Sequence, residues 1–141
     1  MGRICIHLHG KPKDKSLYLL IEKYSIRLEQ ESIRIIEHSE NLSPLEYLAK
    51  LKKNVKNSEL ILLDQNGIEY SSLDFSNLVK SWKLNSEDTH LAIGPAIGFP
   101  NNNFPKISLS KMTFPHELAA LFLVEQIYRS MQIIKGTKYH K

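Results

Sequence analysis

Apolar positions along this chain fall into short runs, separated by longer stretches in which they recur every three or four residues. Arg3 to Leu8 is the first run and an expected strand, with Gly10-Lys-Pro-Lys-Asp14 as the turn after it. Leu17, Leu20, Ile21, Tyr24 and Leu28 then stand at i, i+3, i+4, i+7 and i+11, one stripe along a helix. Ile33, Ile35 and Ile36 predict a second strand, and Glu37 to Leu42 form its polar exit. Ser43 and Pro44 suit the N-cap and first turn of a second helix, whose inner face is Leu45, Leu48, Leu51 and Val55.

Leu60-Ile-Leu-Leu63 is apolar throughout and is expected to end at a turn, Asp64-Gln-Asn-Gly67. Strands apolar on both faces belong to parallel sheets covered by helices. Ser71 or Ser72 caps the next helix, with Leu73, Leu78, Val79 and Trp82 as its apolar positions. Thr89 to Ile93 reads as a strand broken at Gly94-Pro95, and Ile107 to Leu109 as a last short strand. Pro115 suits the first turn of a final helix running to about Ile134. Strands alternating with helices of this length predict a three-layer α/β fold with a mainly parallel sheet. Pro100-Asn-Asn-Asn-Phe-Pro105 is too short to divide domains and reads as a loop, so residues 1–141 are expected to form one domain.

Composition narrows the class without naming an activity. A hydrophobic share of 42% beside 24% charged residues is that of an ordinary globular chain. The single cysteine, Cys5, lies between two isoleucines, which rules out a disulfide framework and predicts a small buried hydrophobe. No apolar stretch approaches the roughly 20 residues of a membrane span, and the start lacks the apolar segment of a secretory signal. A cytoplasmic protein is expected. A net charge of +4, spread along the chain, mildly favours an anionic partner such as RNA.

In open α/β sheets ligands bind outside the carboxyl ends of the strands. Three such ends carry candidate chemistry: Leu63-Asp-Gln-Asn-Gly67, Gly94-Pro-Ala-Ile-Gly98 and Leu109-Ser-Lys-Met-Thr-Phe114. Neither the dinucleotide fingerprint nor the phosphate-loop motif is present, which disfavours a nicotinamide enzyme and a P-loop NTPase. His7 and His9 share a strand face, but no third ligand has matching spacing, and a metal is not expected. His38 and His90 read as ordinary polar positions. Lys11 and Lys13 are equally phosphate contacts or solvated turn residues. Leu118-Ala-Ala-Leu-Phe-Leu-Val124 is apolar almost all round, so the last helix must be covered on two sides.

Taken together, the Gly94 loop, the Leu109-Ser-x-x-Thr113-Phe-Pro-His116 segment, Tyr128-Arg129 and the Tyr139-His140-Lys141 end resemble the RlmH family. Those are small SPOUT-class methyltransferases that use S-adenosylmethionine to methylate N3 of a pseudouridine in helix 69 of large-subunit (23S) ribosomal RNA, preferring the assembled 70S ribosome. The resemblance implies a trefoil-knotted fold and a homodimer whose second subunit covers the last helix and completes the site. It implies cofactor contacts at Leu63, Gly94, Leu109, Ser110, Lys111, Met112, Thr113 and Phe114, and catalytic positions at His116, Arg129, Tyr139 and His140, with no metal. An imidazole can serve as base, an arginine can hold phosphate or an anionic base edge, and a tyrosine can stack on a flipped nucleobase. The family loop reads Gly-Gly-Pro-Glu-Gly, whereas here Ile97 stands in place of the glutamate, and the segment from Gly98 to Phe114 is a few residues shorter. Ile97 can neither orient a substrate by hydrogen bonding nor face a sulfonium. Two alternatives are a ribosome- or RNA-binding factor that keeps the fold without methyl transfer, and a methyltransferase with another RNA target.

Overall fold

The computed structural model describes residues 2–56 and 58–141. Among them the elements run β1 (Ile4–His9), α1 (Lys15–Glu29), β2 (Ile33–His38), α2 (Pro44–Val55), β3 (Glu59–Glu69), α3 (Ser72–Leu84), β4 (Thr89–Ile93), β5 (Lys106–Ser108) and α4 (His116–Lys135). The strands form a five-stranded sheet in the order β2-β1-β4-β3-β5, and every ladder is parallel. The expected three-layer α/β architecture is present.

Helix ends follow local chemistry. Asp14 caps α1 by accepting from the Leu17 amide, and Ser71 caps α3 by accepting from the Asp74 amide. Ser43 and Glu46 form a reciprocal capping box at α2, with Pro44 in its first turn. Gly136, in the left-handed region, ends α4.

Side chains alternate across each strand, and that alternation divides the core in two. Ile4, Ile6 and Leu8 of β1, with Ile61 of β3 and Leu91 of β4, face a layer built from α1, α3 and α4. There Leu123, Val124 and Ile127 of α4 are fully buried, and cutting one of the larger ones back to alanine would cost about 2–5 kcal/mol. The opposite face is covered by α2, whose Tyr47, Leu48, Leu51 and Val55 pack on Leu60, Leu62 and Ala92.

The structure corrects several expectations. Asp64 to Gly67 is no turn: β3 runs on to Glu69, with its pairing to β5 shifted between Leu63 and Ile68. Gly67 makes this possible, because a Cβ there would lie 2.6 Å from the Lys106 carbonyl carbon. Leu45, expected on an inner face, and Leu73, one of the apolar positions of α3, are 69% and 55% exposed. Both occupy the first turn of their helices, ahead of the residues that meet the sheet. Leu109 falls just beyond β5, and Pro115 is the N-cap of α4 rather than part of its first turn.

The largest departure concerns His38 and His90, which are buried, not ordinary polar positions. On the α2 face of β2, β1 and β4, His7 Nδ1 lies 2.8 Å from His38 Nε2, and His7 Nε2 lies 2.8 Å from His90 Nδ1. A neutral imidazole has one donor and one acceptor nitrogen, so the row satisfies itself only when its tautomers run in one sense. Burial, then the neighbouring His38, His90 and Arg34, pushes His7 down to about 3. His9 turns away from the row, its Nε2 meeting the Leu42 carbonyl at 2.7 Å. Both nitrogens of His7 are thus engaged by other imidazoles, and no group of three metal-binding side chains occurs among the described residues. Cys5 is buried, as expected of a small hydrophobe.

Candidate active site

The shifted β3, the exit of β4 and the loop after β5 end side by side. They enclose a cavity of about 390 Å³ together with the start of α4. Its floor is Leu63, the last β3 residue laddered to β4, with Ile93 and Gly94 beside it. Residues 95–99 form one wall. Leu109, Ser110, Met112, Thr113 and Phe114 form the other, and His116 and Ala119 close the α4 side.

Each wall is fixed by its own hydrogen bonds. Gly98 N–H donates to Pro95 O at 2.8 Å, closing the glycine turn. Ser108 Oγ donates to Ser110 O at 2.8 Å, and the Met112 amide donates to Ser110 Oγ at 3.0 Å. Thr113 Oγ1 donates to Gln65 Oε1 at 2.6 Å, tying the second wall to β3. Gly94 accommodates the ring of Phe99, which would lie 3.0 Å from a Cβ at that position. Ile97 and Met112 stand outward at the mouth, 85% and 75% exposed.

Of the cofactor positions inferred from sequence, Leu63, Gly94, Leu109, Ser110, Met112, Thr113 and Phe114 line this cavity, and Lys111 does not. Among the catalytic positions only His116 does so. Arg129, Tyr139 and His140 are brought together elsewhere, on the far half of α4. Arg129 Nη2 lies 2.9 Å from Glu125 Oε2, and Arg129 Nη1 donates to His140 Nδ1 at 3.1 Å. The Tyr139 hydroxyl donates to the same Glu125 Oε2 at 2.7 Å and lies 3.4 Å from the Tyr24 hydroxyl. Its ring sits under the Arg129 guanidinium, 5.0 Å from the centroid, and edge-on to Tyr128. Burial, then the bonds to Tyr24 and Glu125, pushes the Tyr139 hydroxyl up and keeps it a proton donor. Glu125 raises Arg129 by hydrogen bonding. The thirteen residue steps from His116 to Arg129 span roughly 20 Å of helix, so within one chain the cavity and the tail cluster are separate.

Asp64 and Gln65 stood in the sequence as turn residues at a strand end with candidate chemistry, whereas Phe99 had no signal of its own. Asp64 supplies the one carboxylate among the described lining residues. Glu125, one turn before Arg129, organises the tail by accepting from both Arg129 and Tyr139. Lys13 pairs with Glu40 at 3.0 Å, and Lys11 lies over the Tyr18 ring, 4.7 Å from its centroid. No helix is long and apolar enough to cross a membrane among the described residues.

Comparison with known proteins places the chain in a family. The model of the family described as predicted SPOUT methyltransferase matches residues 3–140. Proteins named ribosomal RNA large subunit methyltransferase H are similar over nearly their whole length. The one from Caldicellulosiruptor bescii is 40% identical, over 94% of this chain and 96% of its own. Those from Flavobacterium psychrophilum and Clostridium tetani are each 38% identical, over 93% and 94% of this chain and 94% and 95% of their own lengths. With the parallel sheet and the cavity at its carboxyl ends, these matches establish that the chain belongs to the RlmH family of SPOUT methyltransferases.

Proposed function

We propose that the protein acts as a single-domain, cytoplasmic homodimer that methylates N3 of a pseudouridine in helix 69 of 23S ribosomal RNA, on the assembled 70S ribosome. The observation that carries this reading is the cavity at the strand ends, together with membership of a methyltransferase family whose named relatives act on large-subunit ribosomal RNA. When bound, S-adenosylmethionine supplies an electrophilic methyl group on a cationic sulfonium.

The cavity's chemistry fits that molecule. A volume of about 390 Å³ lies within the range of small-ligand sites. Leu63, Leu109, Met112 and Phe114 offer apolar flanks for an adenine ring, and main-chain groups at the strand exits offer its edge hydrogen bonds. Asp64 brings a carboxylate to the lining, its Oδ1 also accepting from the Asn66 amide at 2.8 Å, and its negative charge suits a cationic ligand. In this reading the segment from β4 onward forms a trefoil knot, one of the rare exceptions to unknotted chains.

N3 of pseudouridine is a weak acid, so its proton must be taken or its anion stabilised while the nitrogen is held in line with the methyl group. His140 is the proposed base. Arg129 holds phosphate or the anionic base edge, Tyr139 stacks on the flipped nucleobase, and His116 lies at the cavity itself. Because the tail cluster is remote from its own cavity, a second copy is needed to bring the two together. The outer face of α4 supports this: Leu118 and Leu121 are half-buried, and Phe122 is 40% exposed with Phe114 edge-on against it.

The test is methyl transfer from labelled S-adenosylmethionine to unmodified 70S ribosomes and free 50S subunits, with the product nucleoside identified by mass spectrometry. Label on N3 of a helix 69 pseudouridine, stronger on 70S, is the expected result. Label in a different RNA would replace the substrate. No label on any particle, from a folded dimer, would favour a binding factor that has lost transfer, in line with Ile97 at the mouth of the cavity.

A further inference from the structure

One side chain outside the cavity holds both ends of its glycine loop. Tyr47, on the inner face of α2, is fully buried. Its hydroxyl donates to the carbonyl of Ile93 at 2.9 Å. Ile93 is the last residue of β4 and immediately precedes Gly94, so this bond fixes the point where the chain leaves the sheet. The Tyr47 ring also stacks on Phe99, with centroids 5.7 Å apart and planes 11° from parallel. Phe99 is the first residue after the turn, and its ring covers Gly94. Entry and exit of residues 94–98 are therefore clamped by one tyrosine. The turn itself has one internal backbone bond, from Gly98 N–H to Pro95 O, and carries the exposed Ile97.

The tyrosine is in turn seated on the sheet. His9 lies 4.9 Å from its ring and His38 meets it edge-on at 5.4 Å. Such a seat has few alternative rotamers, so the hydroxyl is aimed before any ligand arrives. Burial pushes that hydroxyl up, keeping it a donor throughout the physiological range. A packing role alone needs a ring and no hydroxyl. The buried hydrogen bond to this strand-exit carbonyl is what distinguishes tyrosine from phenylalanine here.

We propose that Tyr47, acting through Ile93 and Phe99, is the positioning residue that preorganises the glycine wall of the cofactor cavity. The inference rests on the reading of that cavity as an S-adenosylmethionine site, and it extends that reading to a residue on α2 that touches no ligand.

The experiment compares wild type with Tyr47→Phe and Phe99→Leu. S-adenosylmethionine affinity is measured by calorimetry, and amide exchange by NMR on the protein without cofactor. Tyr47→Phe keeps the ring and loses the hydroxyl. Its dissociation constant and KM for the cofactor are expected to rise about tenfold, the effect of one lost buried hydrogen bond, with turnover at saturation falling by less than KM rises. Gly98 amide exchange should accelerate by a similar factor while the amides of Leu123 and Val124 in α4 stay as protected as in wild type. Phe99→Leu should reproduce both changes without touching the hydrogen bond. Wild-type affinity and wild-type Gly98 exchange in Tyr47→Phe would overturn the proposal, as would equal acceleration at Leu123, which marks general destabilisation. If wild type itself binds no S-adenosylmethionine, the cofactor reading fails, and the exchange measurement still decides whether Tyr47 orders the loop.

Discussion

His7 Nε2 lies 2.8 Å from His90 Nδ1 although 83 residues separate them, and the other nitrogen of His7 meets His38 at the same distance. The neutral row is well formed, whereas a charge added to it would be buried. His9, Arg34, Lys50 and Arg3 surround the row with positive or titratable groups, while Asp88 on the β4 side partly offsets them at His90.

Acid sensitivity follows, with a definite sign. His7 is held at about 3 in the fold against 6.5 for a free imidazole, and burial lowers His38 and His90 as well. Below pH 6.5 the unfolded chain binds protons that the folded chain refuses. Stability is therefore fully present above pH 6.5 and declines as pH falls from there toward 3. The slope reaches about 1.4 kcal/mol per pH unit for each histidine involved. Urea unfolding at steps from pH 7.5 to 4.5 checks this. A flat profile across that window would mean that the imidazoles carry charge inside the fold.

Glu125 Oε2 accepts from both Arg129 Nη2 and the Tyr139 hydroxyl. Tyr139→Phe removes the donor and keeps the ring over Arg129, so the tail should loosen while the core is untouched. Proteolysis of the last residues should speed up several-fold with an unchanged melting temperature. Equal cleavage rates would show that the ring stacking alone docks the tail.

His140 accepts from Arg129 and has no contact with the cavity of its own chain. His140→Ala is expected to cut methyl transfer by about 10²-fold or more, the usual contribution of a general base, with S-adenosylmethionine affinity nearly unchanged. Undiminished turnover would remove it from the mechanism.

Thr89 Oγ1 is buried without a hydrogen-bond partner among the described residues. Thr89→Val keeps the shape and removes the unpaired hydroxyl. It should stabilise the protein by about 1 kcal/mol in urea unfolding, and a loss of stability would point to a buried water at that position.

Much of the scaffold was legible because its signals are local. The stripe Leu17, Leu20, Ile21, Tyr24 and Leu28 (apart from Leu20, which is 42% exposed), the Ser43-Pro44 start of α2 and the apolar run of β3 each state a local preference that the packing agrees with. Expectations failed where distant segments decide. Asp64-Gln-Asn-Gly67 has the composition of a turn, but the glycine is required by the close passage of β5, which a reading of residues 60–67 cannot see. His38 and His90 each look polar in isolation, and only the order of β2, β1 and β4 makes them partners of His7. In the site, the cavity-lining loops were legible from their resemblance to a family. The hold of Tyr47 on Ile93 and Phe99 was not, because it joins residues 46 and 52 positions apart through a side chain that reads as ordinary core.

The strand order also constrains how the molecule comes into being. β1 lies inside the sheet, and its second neighbour is β4, so residues 4–7 wait for residues 89–92 before both their edges are paired. A nascent chain can join β1 to β2 early, yet it presents an open, apolar strand edge until nearly two thirds of the protein has been synthesised. Every ladder is parallel and needs a crossover, which makes assembly slow for a chain of this size. During that interval α2 alone can cover the histidine face, and the cavity at the strand ends, built from the last strands to arrive, is the final part to take shape.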